Sequence, residues 1–158
     1  MEPRQLRAGE IDALGQVWHD AWREAHAHLL PEKLIRLRTL ESFRARLRAN
    51  REAVRVAGPV GSPLGFCWVR GDELFQLFVH REARGTGVAQ ALMADGEARL
   101  AEAGVVTAWL ACAIGNHRAA RFYEKCGWAM VGVHPNVAET PEGPMTLEVW
   151  RYEKRLRR

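Results

Sequence analysis

The stretch Leu77-Phe78-Val79-His80-Arg81-Glu82-Ala83-Arg84-Gly85-Thr86-Gly87-Val88-Ala89 runs from an apolar segment, through a glycine-containing turn, into a helical pattern. A strand over Glu73 to Val79 is expected, then a helix from Gly87 to about Ala103 with Gly104 as its C-terminal cap. The first turn of a helix has backbone N–H groups without intrahelical partners and a partial positive charge. Gly85 and Gly87 remove the side chains that would block a close approach. Such a turn makes a nest for a diphosphate, to which Arg84 adds a charge-assisted contact. The same glycines also suit a purely structural turn that allows tight packing.

Three phosphate-binding patterns compete for this stretch. A P-loop needs Gly-Lys-Ser/Thr, which the chain lacks here. A dinucleotide fingerprint needs a third glycine where Gln90 stands. It also needs an acidic residue ending the next strand, where Ala111-Cys112-Ala113 has none. The pattern Arg-x-x-Gly-x-Ala is met at every position by Arg84 to Ala89.

Upstream, Gln5-Leu6-Arg7 reads as a short first strand. Ile11, Leu14, Trp18, Ala21, Trp22 and Ala25 then fall on one helical face. Pro31 ends or redirects that segment. A second helix is expected from Thr39 to Asn50, burying Phe43 and Leu47. Extended segments follow at Ala53 to Ala57 and Leu64 to Val69, with Gly71-Asp72 as a tight turn between antiparallel neighbours. Downstream, Val105 to Cys112 reads as a strand buried on both faces. A short helix lies between the N-cap Asn116 and the stop Gly127. Trp128 to Val133 and Met145 to Trp150 complete the strands, joined by a loop from His134 to Pro144. The order implies an α/β mixed sheet with helices on both faces.

Composition agrees. A chain of 158 residues with 47% hydrophobic and 27% charged residues fits one globular domain, residues 1–158. The uncharged stretch Ala103 to Gly115 is too short to span a bilayer, so no membrane partner is expected. Met1-Glu2-Pro3-Arg4 leads into no apolar segment, so no secretory leader is expected. Cys67, Cys112 and Cys126 are an odd number without CxxC spacing. That speaks against disulfides and a zinc site and for a cytoplasmic location. The net charge is +4, and the last eight residues, with five basic and one acidic, account for all of it. Residues 151–158 therefore read as a solvated basic tail on a neutral body, which does not suit a nucleic-acid binder.

A second stretch, Asn116-His117-Arg118-Ala119-Ala120-Arg121-Phe122-Tyr123-Glu124-Lys125-Cys126-Gly127-Trp128, sets Asn116 and Tyr123 two helical turns apart near one face. Alone, such a tyrosine suits half-buried packing. Together the two stretches resemble the GNAT superfamily of acyl-CoA-dependent N-acetyltransferases. The first is similar to its coenzyme A motif, Arg/Gln-x-x-Gly-x-Gly/Ala, and the second to its Asn…Ala…Phe-Tyr-Glu-Lys-x-Gly-Phe segment. The resemblance is strong over Glu73 to Val133 and weaker over the N-terminal helices, where Leu29-Leu30-Pro31 is similar to many members. Arg81 stands where Pro is common, and Trp128 where Phe is common.

The resemblance implies a mostly antiparallel sheet of about seven strands with a bulged, splayed central pair. Residues 73–133 would form an acetyl-CoA-binding core, and residues 1–50 acceptor-side helices. Backbone groups at Phe78 and Val79 would pair with the pantetheine arm like a borrowed strand. The amides of Gly85, Thr86, Gly87, Val88 and Ala89 would hold the diphosphate, with Arg84 beside them, and Asn116 would bond the pantetheine. Tyr123 would lie near the thioester sulfur. The implied reaction moves an acetyl group from acetyl-CoA to a primary amine of a small molecule or peptide, by direct attack through a tetrahedral intermediate. A backbone N–H near Val79 would stabilise the oxyanion. Tyr123 would protonate the leaving thiolate and Glu73 would be the base, although a turn-adjacent surface acid accounts for Glu73 equally well.

No metal is required. His19 and His26, seven apart, lack a third ligand. The three cysteines read as small core hydrophobes, Gln76 as a hydrogen-bonding contact to substrate, and His134 as a solvated loop residue. Trp18 and Trp22 are candidates for an aromatic acceptor wall, with core packing as the other reading. The exposed final strands leave room for a homodimer. The rivals are a silent acyl-CoA-binding module or regulator and, more distantly, a nucleotide-binding regulator.

Overall fold

A computed structural model describes residues 1–156. The strands are β1 (Arg4–Gln5), β2 (Val54–Ala57), β3 (Gly65–Arg70), β4 (Glu73–Val79), β5 (Thr107–Ala113), β6 (Ala129–Thr140) and β7 (Gly143–Arg155). The helices are α1 (Ile11–His26), α2 (Glu32–Leu37), α3 (Leu40–Ala49), α4 (Val88–Glu102) and α5 (His117–Lys125). The strands form one seven-stranded sheet in the order β1-β2-β3-β4-β5-β7-β6. Every neighbouring pair is antiparallel except β4 and β5.

Each face of the sheet carries its own core, because successive strand residues point to opposite sides. On β3, Cys67 packs against α4 and α5 with Leu74, Leu92 and Leu110. Its neighbours Phe66 and Trp68 pack against α1 and α3 with Trp18, Phe43 and Leu47. The predicted stripe of α1 is the buried one, with Ile11, Leu14, Trp18, Ala21 and Trp22 on it. The second expected helix starts at its expected cap, where the Thr39 hydroxyl accepts from the Ser42 amide at 3.1 Å. α4 lies so close to β3 that a Cβ on Gly96 would sit 2.7 Å from Cys67 Sγ. No helix among the described residues is long and apolar enough to cross a membrane.

Several expectations fail here. α1 ends at His26, and Pro31 begins the unforeseen α2 as its N-cap instead of terminating a helix. β5 is fully buried on one face only, at Ala108, Leu110 and Cys112. The expected loop over His134–Pro144 is mostly strand. β6 and β7 form a long ribbon turning at Pro141-Glu142, with Pro135 opposite Glu148 and Pro144 opposite Glu139. Proline is tolerated there because both stand on free edges. β6 ends the sheet, and β7 has β5 beside it only from Val149 onward.

The basic tail is likewise mostly sheet. Arg151 to Arg155 pair with β5, Tyr152 and Leu156 are buried, and Lys154 Nζ donates to Glu97 at 2.8 Å and to the Cys126 carbonyl at 2.7 Å. Arg157 and Arg158 lie outside the described residues. Charge density hid an alternation in which Tyr152 and Leu156 face inward.

Candidate active site

The parallel pair β4 and β5 is in register at Glu73 and Trp109 only, and the two strands part beyond that point. On its other edge β4 is bulged. Leu74 faces Val69 and Gln76 faces Trp68, which leaves Phe75 as the extra residue. A bulge bends its strand, which suits the divergence. A cavity of about 680 Å³ fills the opening. It runs from Gly85 and Ala89 at the start of α4, past Ala111–Ala113 of β5, to Trp22, Arg38 and Arg46 on the opposite side.

The nest takes shape at one end. Gly85 and Gly87 have φ of +76° and +88°, a conformation costly for residues with a Cβ, and the space where a Cβ would stand is empty at both. The amides of Gly85, Gly87, Val88 and Ala89 have no acceptor among the described residues. Thr86 departs from expectation, because its amide donates to the Ala83 carbonyl at 3.3 Å and its hydroxyl bonds the same oxygen. Arg84 departs too. Its guanidinium is held by the Glu24 carboxylate of α1 at 2.5 and 3.2 Å, with Arg118 3.8 Å from the same group. The Arg84 guanidinium first of all, with smaller help from Arg118 and Arg81 and against the effect of burial, holds the Glu24 carboxyl below its usual range.

Along β4, the His80 amide donates to Leu64 on the β3 side at 2.6 Å. Strand alternation therefore aims the Val79 N–H the other way, into the opening. Phe78 and Val79 both line the cavity.

Asn116 caps α5, accepting from the Ala119 amide at 3.3 Å through Oδ1, which leaves its amide nitrogen available. Tyr123, two turns on, reaches the cavity beside Cys112, its ring 5.8 Å from that of Tyr152. Tyr152 donates its hydroxyl to Glu124 at 3.0 Å, whereas no hydrogen bond engages the Tyr123 hydroxyl among the described residues. Burial first, then the Cys112, Cys67 and Cys126 thiols and Tyr152, push the Tyr123 phenol upward, so it keeps its proton.

Glu73 opens β4 and lines the cavity, 6% exposed, with Arg70 Nη2 3.4 Å from its carboxylate. Burial raises its carboxyl above the ordinary range, Arg70 works against the shift, and Asp72 adds to it. It is therefore not the surface acid of the alternative reading.

The remaining candidates separate cleanly. Trp18 is fully buried, 4.7 Å from Phe43 and 5.1 Å from Phe66 by ring centroids, so it is core. Trp22 lines the cavity, as do Gln76, Trp68 and Phe75. His19 bonds Asp20 on the surface, while His26 lines the cavity, its pKa lowered to about 4 by burial. The two histidines therefore face different surroundings. His134 is exposed on β6, away from the cavity lining. Burial pushes the Cys67 and Cys112 thiols up to about 12, which disfavours the nucleophilic thiolate. Sequence reading missed Arg38, Arg46, Trp68 and Phe75. Only the bulge expected in β4 could have hinted at Phe75.

Residues 12–128 match the model of the Acetyltransferase (GNAT) family. Uncharacterised N-acetyltransferases of Mycobacterium tuberculosis and Mycobacterium bovis are 36% identical over 95 residues, covering 57% of this chain and 61% of theirs. The matched part thus spans less than two thirds of those relatives. A GCN5-related N-acetyltransferase structure from Rhodopseudomonas palustris superposes with a TM-score of 0.74 at 19% identity, covering 98% of this chain and 94% of that one. PaiA N-acetyltransferase of Thermoplasma acidophilum, solved with coenzyme A, gives 0.67 at 19%, covering 98% of each chain. A Salmonella typhimurium protein solved with its cofactor acetyl-CoA gives 0.72 at 15%, covering 100% of this chain and 95% of that one.

Proposed function

The chain belongs to the acetyltransferase (GNAT) family, and from that premise we propose that it is an N-acetyltransferase moving an acetyl group from acetyl-CoA to a primary amine of a small molecule or peptide. The observation that carries this reading is the alignment of unpaired amides along one opening. The free edge of β4 ends at Val79, and the unpaired first turn of α4 lies just beyond it. An extended pantetheine arm fits such an edge as an added strand. A diphosphate fits the amides of Gly85, Gly87, Val88 and Ala89, where the helix dipole is favourable. Residues 73–133 are thus the acetyl-CoA-binding core, and residues 1–50 belong to the acceptor side.

The chemistry follows from the groups present. A neutral amine nitrogen bonds to the acetyl carbon, and negative charge grows on the carbonyl oxygen toward the Val79 N–H. The carbon–sulfur bond then breaks. A thiol with a pKa near 8.5 leaves as thiolate, and Tyr123 gives it a proton. Alkylamines have a pKa near 10, so a proton must be removed before attack. Glu73, its carboxyl raised by burial, takes that proton through water, and the proton that the nitrogen sheds once bonded to the acetyl carbon passes by way of solvent to restore the Tyr123 phenol. Asn116 bonds the pantetheine through its amide nitrogen. Cys67, Cys112 and Cys126 take no part.

The same reading leaves nucleic acid, membrane and metal out of the reaction and puts the enzyme in the cytoplasm. It includes a homodimer formed along the β6 edge, where Met130, Val131, Val133 and Val137 are exposed. Thiol release from acetyl-CoA with a panel of primary amines tests the activity. Amine-dependent release is expected. Coenzyme binding without turnover across the panel would instead indicate a silent acyl-CoA-binding module.

A further inference from the structure

The cavity wall opposite the nest is unusually cationic. Arg38 at the end of α2, Arg46 on α3 and Arg70 at the end of β3 all line it. Glu73 and Glu139 are the carboxylate residues of that lining. Glu73 is beside Arg70, and Glu139 is exposed on the ribbon, offering Arg38 its backbone carbonyl at 2.8 Å. Arg38 and Arg46 therefore face the cavity without a carboxylate partner among the described residues.

Arg46 is the sharper case. Its guanidinium lies 4.6 Å from the Trp18 ring and 6.0 and 5.9 Å from those of Trp68 and Phe75. No hydrogen bond or ion pair engages that guanidinium among the described residues. Burial, then the like charges of Arg38 and Arg70, lower its pKa to about 9. A guanidinium has five N–H donors, and with no protein acceptor those of half-buried Arg46 are left to the solvent of the cavity. The aromatic faces beside it attract the cation but accept no N–H bond in the guanidinium plane. Arg38 is 6% exposed and is likewise disfavoured by burial. Two under-satisfied planar cations on one wall suit a planar anion, because the guanidinium fork matches a carboxylate.

We propose that the acceptor is an amino acid, its carboxylate bound by Arg46 and Arg38 and its apolar part against Trp22, Trp68 and Phe75. The inference rests on the N-acetyltransferase reading and narrows its acceptor from any primary amine to an amino-carboxylate. Glu73, at the head of β4, leaves the amine a place distinct from the carboxylate. A free α-amino acid offers both groups in one small molecule, whereas the N-terminal residue of a peptide has its α-carboxylate converted to an uncharged amide.

Thiol release is measured for the standard L-amino acids, each beside its carboxamide. The decarboxylated amines of leucine, phenylalanine and methionine are added. At least one acid should exceed its carboxamide and decarboxylated amine in kcat/KM by about 10- to 100-fold, the scale of a charge-assisted hydrogen bond. Arg46→Met and Arg38→Met should abolish that preference mainly through KM. Thermal melts and coenzyme A affinity establish that each variant is folded. Amides or plain amines used as well as every acid would overturn the proposal, as would a preference that survives both substitutions. If no amine turns over, the N-acetyltransferase reading falls. Thermal shift by the same acids and carboxamides in the presence of coenzyme A then decides the subsite. An acid-selective shift lost in Arg46→Met supports it, and no such shift refutes it.

Discussion

The two ends of the cavity present different kinds of surface. At the α4 end the groups on offer are backbone amides, arranged by Gly85 and Gly87 and by the unpaired first turn of a helix. At the opposite end they are side chains, Trp22, Arg38, Arg46, Trp68 and Phe75, drawn from α1, α2, α3, β3 and β4. A backbone nest depends on a few consecutive residues. A side-chain wall depends on elements that meet only after folding. The nest should therefore fail at a single position, whereas the wall should change by degrees.

The largest effect is expected at the nest. Gly87→Glu puts a Cβ on a residue at φ +88° and a carboxylate where a diphosphate would bind, so coenzyme A binding should disappear by calorimetry. Unaltered affinity would break the contrast, because the nest would then not depend on that glycine.

Next comes Tyr123→Phe. With the phenol held protonated by burial, its loss should lower kcat by about 10- to 1000-fold, the range for a general acid. Coenzyme A affinity should stay within about 2-fold, because binding belongs to the backbone. Full activity in steady-state assays would remove the assigned role.

Glu73→Gln is expected to have a smaller, pH-dependent effect. Burial raises this carboxyl above its ordinary value of 4.5, so the deprotonated base is gained at a higher pH than for a surface glutamate. The lower limb of kcat/KM should therefore rise with pH above about 4.5 and vanish in the variant. The limb that belongs to the amine itself, near pH 10, should remain. A lower limb retained in the variant would assign the base elsewhere.

The smallest effect tests a side chain of α1 that reaches the nest end. Glu24 of α1 holds Arg84 beside the nest. Glu24→Gln should free that cation and tighten coenzyme A binding about 2- to 5-fold at low ionic strength. The gain should fade as salt screens an exposed pair. Weaker binding would show instead that Glu24 orients Arg84.

Much of the donor end was readable before folding. The start of α4, the cap at Asn116 and the strand at Glu73–Val79 follow from residues adjacent in the chain. Errors arose where a local signal met its neighbours. Pro135 and Pro144 signalled a loop, yet both lie in the β6–β7 ribbon because its edges there are free. The basic residues after Trp150 suggested solvent, yet Lys154 is held by Glu97 and Tyr152 packs inward. Beyond these two, Thr86 reads from the sequence as one of the nest residues, and the folded chain uses its amide to close the turn that presents them. Arg84 reads as a diphosphate contact, and the fold sets beside it a carboxylate of α1 from sixty positions earlier.

Short-range information thus sufficed for α1, α3, α4 and α5, for the strands through β5 and for the glycine nest, because φ restrictions, capping and periodicity act between near neighbours. The wall opposite the nest needed the folded chain. Arg38 and Arg46 are ordinary basic residues in their own segments. They face one cavity because α1, α2, α3 and the ribbon bury their apolar residues on the same face of the sheet. Which charges are left without partners is a property of that packing, and no spacing along the sequence encodes it.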